Sequence, residues 1–316
     1  MSAGTALGAS ARLAVLHLVR KANGPEPLTR FLDSYRAHRA GVEHELVLLL
    51  KGFESEAESA PFMALAADVT DRSLSVVDQG FDIGSYRAAA ERLAHRTLCL
   101  LNSFSVILAG DWLQSLCAAH SAPGVGLAGA TGSWASPHTA LRHELGLGGP
   151  YAAAMGDRNR SLERVRELAE ASPSEAAPRR TAVRMLATAR SMSSRAMDFP
   201  AFPNRHVRTN AVVVDREMLL RARVGALRDK LAAWRFESGR RSLTRQVEAM
   251  GLRAVLVGRD GRSFEYGEWP RSDTFWQGEQ ENLLIADNQT ESYRSADAEL
   301  RSVLSAFAWG ATGAAR

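Results

Sequence analysis

Apolar residues in this chain fall in short unbroken runs, separated by polar stretches in which the apolar positions take helical spacing. The first run, Leu13-Ala14-Val15-Leu16-His17-Leu18-Val19, is too short for an isolated helix and rich in aliphatics, which predicts a strand buried on both faces. Asn23-Gly24-Pro25 signals a turn. The stretch 27–38 then sets Leu28, Phe31, Leu32 and Tyr35 on one stripe, the pattern of an amphipathic helix. A second buried strand follows at Glu45-Leu46-Val47-Leu48-Leu49-Leu50 and ends in Lys51-Gly52. Strand, helix, strand in one sheet requires a right-handed crossover.

The alternation continues with a helix over 58–67, a strand at Leu74-Ser75-Val76-Val77, a loop over 78–84, a helix over 85–94 and a strand at Thr97-Leu98-Cys99-Leu100-Leu101. The first hundred residues therefore predict an α/β half with a mostly parallel central sheet flanked by helices. A short helix over 110–121 and a glycine-interrupted strand over 124–130 come next. From 138 to 198 the character changes to Ala, Arg, Glu and Ser with Leu and Met at helical spacing, broken at Pro173 and Pro178, which reads as an inserted helical segment. Strand character returns at 211–214 and 253–257, with helices over 216–220, 242–250 and 297–307. One α/β domain over 13–310 is expected, between flexible ends at 1–12 and 311–316.

At 316 residues with 46% hydrophobic content the chain can bury a sizeable core. Lys and Arg exceed Asp and Glu by 39 to 35, a net charge of +4 that is too thin to argue for nucleic acid. Cys99 and Cys117 sit among apolar neighbours with no partner at metal-ligand spacing, which fits buried thiols in a cytoplasmic protein. No window reaches the roughly 20 apolar residues of a spanning helix, so any membrane contact, for instance at the inner face, is expected to be peripheral.

In open sheets of this kind ligands bind beyond the carboxyl ends of the strands, so the residues released there are the first candidates for chemistry. Arg20 and Lys21 belong to the first strand end, Lys51 to the second, Asp78 and Asp82 to the third, and Asn102 to the fourth. The loop Asp78-Gln79-Gly80-Phe81-Asp82-Ile83-Gly84-Ser85-Tyr86-Arg87 offers two carboxylates, close backbone approach and an arginine for phosphate; alternatively Asp82 or Ser85 caps the next helix. Leu100-Leu101-Asn102-Ser103-Phe104-Ser105 aims polar groups into the same crevice, unless Asn102 only starts a turn. Arg205, His206, Arg208 and Asn210 form a basic stretch suited to a diphosphate or equally to solvent. Glu237 lies between Trp234 and Phe236, a setting that can tune a general base. Trp269, Trp276 and Gln280 suit sugar recognition by ring stacking and hydrogen bonding, or else anchor their loop.

In this order the segments resemble bacterial glycosyltransferases of the family-2 type, over about 13–135 and 200–290. Asp78 to Tyr86 looks like the strand-loop-helix of rhamnan-synthesis-type relatives. Asn102 to Ser105 with Asp111-Trp112-Leu113 is similar to the segment holding the family's metal-binding Asp-x-Asp, and Thr209-Asn210-Ala211 through Arg216 to its acceptor-side strand. The resemblance implies a nucleotide-diphospho-sugar transferase (GT-A-like) fold, a nucleotide-sugar donor, a glycan or lipid-linked acceptor, a role in surface polysaccharide synthesis, and Glu237 as base of an inverting displacement. It places His17, Arg20, Asp78, Asp82, Arg87, Asn102, Ser103 and Ser105 toward the donor, and Arg205, His206, Arg208, Asn210, Trp276 and Gln280 toward acceptor or phosphate. The chain departs from the pattern where the family binds Mg²⁺ or Mn²⁺: Asn102 and Ser105 replace its carboxylates. Metal held through Asp78 or Asp82, or metal-independent action, are the two expectations left. The alternative reading is a silent sugar- or nucleotide-binding protein that kept the fold.

Overall fold

The computed structural model describes residues 12–147, 192–225, 227 and 230–310. The expected ends at 1–12 and 311–316, residue 12 excepted, and most of the expected insertion lie outside the described residues. At the insertion's edges, Pro137–Glu144 and the stretch 192–197 are helical.

Eight strands form the central sheet. In chain order the strands of the chain are β1 (Leu13–Arg20), β2 (Glu45–Lys51), β3 (Ser73–Val76), β4 (Thr97–Leu101), β5 (Val106–Ile107), β6 (Val125–Gly129), β7 (Gly132–Ser133), β8 (His206–Val207), β9 (Val212–Asp215), β10 (Arg253–Val257), β11 (Ser263–Phe264) and β12 (Ile285–Ala286). The large sheet runs β11-β10-β6-β9-β4-β1-β2-β3, while β12 pairs with β5 and β7 with β8. Contacts of β1 with β2 and β4, of β2 with β3, and of β6 with β10 are parallel. β9 is antiparallel to both its neighbours, β4 and β6. The sheet is thus mostly parallel, as expected.

Period-2 alternation divides the core between the two faces of the sheet. Ala14, Leu16 and Leu18 of β1 join one apolar cluster, whereas Leu13, Val15 and Val19 join the other. Besides the stretch 192–197, the helices among the described residues are α1 (Glu26–Ala37), α2 (Glu56–Leu65), α3 (Phe81–Arg92), α4 (Trp112–Ser121), α5 (Pro137–Glu144), α6 (Arg216–Arg221), α7 (Lys230–Ser238), α8 (Leu243–Ala249), α9 (Asn288–Ser295) and α10 (Ala298–Trp309). α1 and α4 cover one face through Leu28, Phe31, Leu32, Trp112, Leu113 and Leu116. The other face is covered by α3, α6, α7, α8 and α10. Cys99 is buried and Cys117 half-buried; burial raises both thiols, Cys117 to about 11, so neither is reactive at neutral pH. Among the described residues no helix is long and apolar enough to cross a membrane.

His17 belongs to this core. Its ring stacks on Phe31 with centroids 3.7 Å apart and 7° between planes, and neither nitrogen has a partner among the described residues. Burial pushes the imidazole down to about 3, so the folded protein keeps it neutral. Because the folded pKa lies below the unfolded one, stability is intact above about pH 6.5 and falls as pH drops toward 3, at up to about 1.4 kcal/mol per pH unit. His17→Leu is therefore expected to flatten the acid limb. Between pH 7 and pH 5, urea denaturation should show the native chain losing about 2 kcal/mol more than the variant; parallel pH profiles for the two would contradict this assignment.

Candidate functional site

The order of the sheet fixes where a ligand can bind. Chain connections leave β1 toward β2 on one side and reach β4 on the other, so the direction of winding reverses between β1 and β4, and a crevice opens beyond their carboxyl ends. β9 runs antiparallel beside β4, with Leu100 opposite Val212 and Thr97 opposite Asp215, so its amino end, not its carboxyl end, reaches the same rim. That single reversal delivers Thr209 and Asn210 to the crevice. The residue after them, Ala211, is a non-glycine in the left-handed region (φ 57°), the kind of backbone cost that persists where surrounding structure holds a site in shape.

At this rim lies a cavity of about 170 Å³, room for on the order of ten waters. Arg20 and Asn23 come from the end of β1 and the turn after it, Asp82 from the first turn of α3, and Asn102, Ser103 and Phe104 from the end of β4. Arg208, Thr209 and Asn210 enter between β8 and β9. Lys230, Trp234 and Glu237, at i, i+4 and i+7, are one face of α7, and Asn288 and Gln289 open α9. The opposite face of α7 buries Ala232 and Phe236.

Each wall is held by bonds that leave little freedom. Glu237 Oε1 accepts the Thr209 backbone N–H at 3.0 Å. α7 is pinned by Asn204 Nδ2 donating to the Ser238 carbonyl at 2.7 Å and by Arg235 on Asp198 at 2.7 Å. It closes at Gly239, where a Cβ would stand 2.5 Å from the Arg235 carbonyl oxygen, so only glycine fits. Asn210 Oδ1 accepts from the Asn102 backbone N–H at 3.1 Å and from Ser105 Oγ at 2.7 Å, tying β4 to β9. Arg208 donates to Asp287 at 2.7 Å and to Thr131 at 3.3 Å, and its guanidinium lies 4.3 Å over the Phe275 ring. Asp287 is fully buried and also caps α9 through the N–H groups of Gln289 and Thr290.

The electrostatics are mixed. Burial pushes the Asp82 carboxyl up, Lys51 and Arg20 oppose that, and the charge of Glu237 adds to it, so the two acids of the cavity feel each other. Burial pushes the Lys51 ammonium down against the pull of Asp82; its Nζ donates to the Phe81 carbonyl at 2.8 Å behind the start of α3. His206 is buried, with Nδ1 2.8 Å from the Asn204 carbonyl; burial lowers its pKa and Glu237 works the other way.

Of the residues singled out in the sequence, Arg20, Asp82, Asn102, Ser103, Arg208, Asn210 and Glu237 line this one cavity. The others stand elsewhere, each for a visible reason. His17 is stacked in the core. Asp78 is half-exposed beside the cavity, 3.9 Å from Arg20 and 3.8 Å from Lys51. Arg87 donates to the carbonyls of Ala222 and Leu220, joining α3 to the end of α6 and the residue after it. Ser105 is buried and acts on Asn102 and Asn210. Arg205 pairs with Glu248 at 2.8 Å and lies over Tyr266, and His206 is sealed beneath its loop. Trp276 stacks on Phe275 and donates to the Gln289 carbonyl at 3.1 Å, while Gln280 donates to the Thr290 carbonyl at 3.0 Å. These two therefore brace α9 from behind, and Trp269 is likewise buried. The stretch around 234–239 includes the end of a helix, and 288–295 is helical as well. The helix expected over 85–94 begins at Phe81, which sets Asp82 on its first turn.

Sequence reasoning missed Lys230 as a lining residue and gave Asn23 only as part of a turn; Phe104, Thr209, Asn288 and Gln289 fell within candidate stretches without a role of their own, and Trp234 was given only as a neighbour of Glu237. Asn23 lies three residues past β1, so the same strand-end rule that found Arg20 reaches it. Of the two carboxylates offered in place of an acidic metal motif, Asp82 lines the cavity and Asp78 faces Arg20 and Lys51. Among the described residues no group of three or more His, Cys, Asp or Glu side chains could hold a metal ion.

By architecture the chain is an α/β protein built on a mostly parallel central sheet flanked by helices. Among solved structures it is similar to S. aureus TarS, at 11% identity over 37% of this chain and 21% of that one, with a TM-score of 0.30. The match spans about one fifth of the TarS chain. No family model matches the sequence, and no curated protein matches it.

Proposed function

We propose that the protein is a glycosyltransferase that takes a sugar from a nucleotide-sugar donor and passes it to a hydroxyl acceptor with inversion. The observation that carries this reading is the meeting of Arg20, Asp82, Asn102, Asn210 and Glu237, drawn from five places in the sequence, on one cavity at the switch point of the sheet. In the proposed reaction Glu237 removes the acceptor O–H proton, the freed oxygen bonds to the anomeric carbon, and the bond from that carbon to the phosphate oxygen breaks with its electron pair on the diphosphate. Arg20, whose nearest carboxylate is Asp78 at 3.9 Å, faces the charge that develops on the leaving group. Arg208, already paired with Asp287, shapes the wall. Glu237 suits the task because one of its oxygens is occupied by the Thr209 N–H, which aims the carboxylate while leaving the other oxygen for a proton.

The reading includes action without a divalent ion, supported by Lys51 and Arg20, two cations whose charge acts on Asp82. Incubation with a panel of nucleotide sugars, with EDTA or with Mn²⁺, measures nucleoside diphosphate release. Release from one donor class that persists in EDTA is the expected result. Release strictly dependent on Mn²⁺ would remove the metal-free step, and donor binding without any turnover in the presence of glycan acceptors would favour a silent sugar-binding protein. A lipid-linked or surface-polysaccharide acceptor, reached from the inner membrane face, remains part of this proposal on the resemblance alone.

A further inference from the structure

Three side chains of the cavity carry polar atoms that the fold itself does not use. Both amide atoms of Asn23, the hydroxyl of Ser103 and Nδ2 of Asn210 are sealed from solvent and have no hydrogen-bond partner among the described residues. All three residues line the same cavity, yet they come from separate elements, the turn after β1, the end of β4 and the approach to β9. Groups of this kind destabilise a protein unless something meets them, and their convergence on one cavity points to a ligand.

Their chemistry narrows what that ligand is. Asn210 Oδ1 already takes two donors, so its amide can offer only an N–H. Asn23 presents a donor and an acceptor side by side, and Ser103 can act either way. A phosphate or carboxylate only accepts and cannot satisfy Asn23 Oδ1. Adjacent ring hydroxyls each donate and accept, and can serve all four atoms. Charge narrows it further: of the cavity's cations Arg208 is paired with Asp287, Lys230 lies over the Trp234 ring and Arg20 is assigned to the diphosphate, so Asp82 and Glu237 are the charges left to repel a sugar acid. We propose that Asn23, Ser103 and Asn210 bind the sugar ring of the donor and select an uncharged, hydroxyl-bearing glycosyl group over a uronate. This rests on the transferase reading above, and the test separates the two.

The probes are UDP-, GDP- and dTDP-linked neutral hexoses and 6-deoxyhexoses, UDP-glucuronate, and the bare nucleoside diphosphates, titrated against the full chain, Asn23→Ala and Ser103→Ala. Each variant is expected to lose about tenfold or more in affinity for the preferred neutral donor while binding the bare diphosphate within about twofold of the native chain. Because each variant deletes unpaired buried atoms, its melting temperature without ligand should be unchanged or higher, a readout that needs no activity. Equal losses for donor and bare diphosphate, or a preference for UDP-glucuronate over the neutral donors, would overturn the assignment of these residues while leaving the transferase reading standing. Failure of the native chain to bind any nucleotide or sugar nucleotide would instead overturn both.

Discussion

Glu237→Gln is expected to lower sugar transfer by about 10²–10⁴-fold while the donor still binds. The change is isosteric, and the glutamine oxygen can still accept the Thr209 N–H that aims this side chain, so the fold and the donor pocket stay in place. What disappears is the carboxylate able to take the acceptor proton. The effect should therefore fall on kcat, with donor affinity measured by titration changing about twofold or less. Asp82 provides the internal control, because it is the other acid lining the cavity and its carboxyl is held high by burial and by the charge of Glu237. Removing that charge moves Asp82 downward, toward its ordinary range. If Glu237→Gln turned over at near the native rate while Asp82→Asn did not, the base would be Asp82 and the assignment of roles on α3 and α7 would be reversed.

The second large effect concerns stability. Arg208→Met should destabilise the fold by about 3–5 kcal/mol, because it strands the fully buried Asp287 without its 2.7 Å partner. The loss has a local route to the cavity: Asp287 caps α9, and Asn288 and Gln289 of that helix line the wall. Arg208→Met with Asp287→Asn replaces both charges, keeps a side-chain oxygen for the cap, and should recover at least half of the loss in urea denaturation. A double variant no more stable than Arg208→Met alone would mean that the arginine acts through its contacts with Thr131 and Phe275 rather than through the buried charge.

The parts of this fold that were legible in the sequence are those where burial writes a pattern. β1, β2, β4 and β10 are buried along almost their whole length, so each appears as an unbroken aliphatic run, and the strand expected at 97–101 falls on the observed residues. Helix α9 is the opposite case. Asn288-Gln289-Thr290-Glu291-Ser292-Tyr293-Arg294-Ser295 buries only Thr290 and Tyr293 and is held by the Asp287 cap and by bonds from Trp276 and Gln280, none of which leaves an apolar period. Strand direction leaves none either: Val212-Val213-Val214 reads the same parallel or antiparallel, although its reversal is what carries Asn210 to the cavity. The rule that ligands gather beyond strand ends found Arg20, Asp82, Asn102 and Ser103. It did not separate Trp276, an aromatic in a polar stretch that is buried beneath α9, from Trp234, which faces the cavity. That distinction depends on which way a side chain turns, and hydrophobicity along the chain does not encode it.

A crystal structure of the protein soaked with the nucleoside diphosphate of its preferred donor measures the central claim most directly. The expected density places the nucleotide at the carboxyl ends of β1 and β4, with the phosphates toward Arg20 and open space left between Glu237 and Asn23 for a sugar. A nucleotide bound on another face of the sheet, with this cavity unchanged, would contradict it.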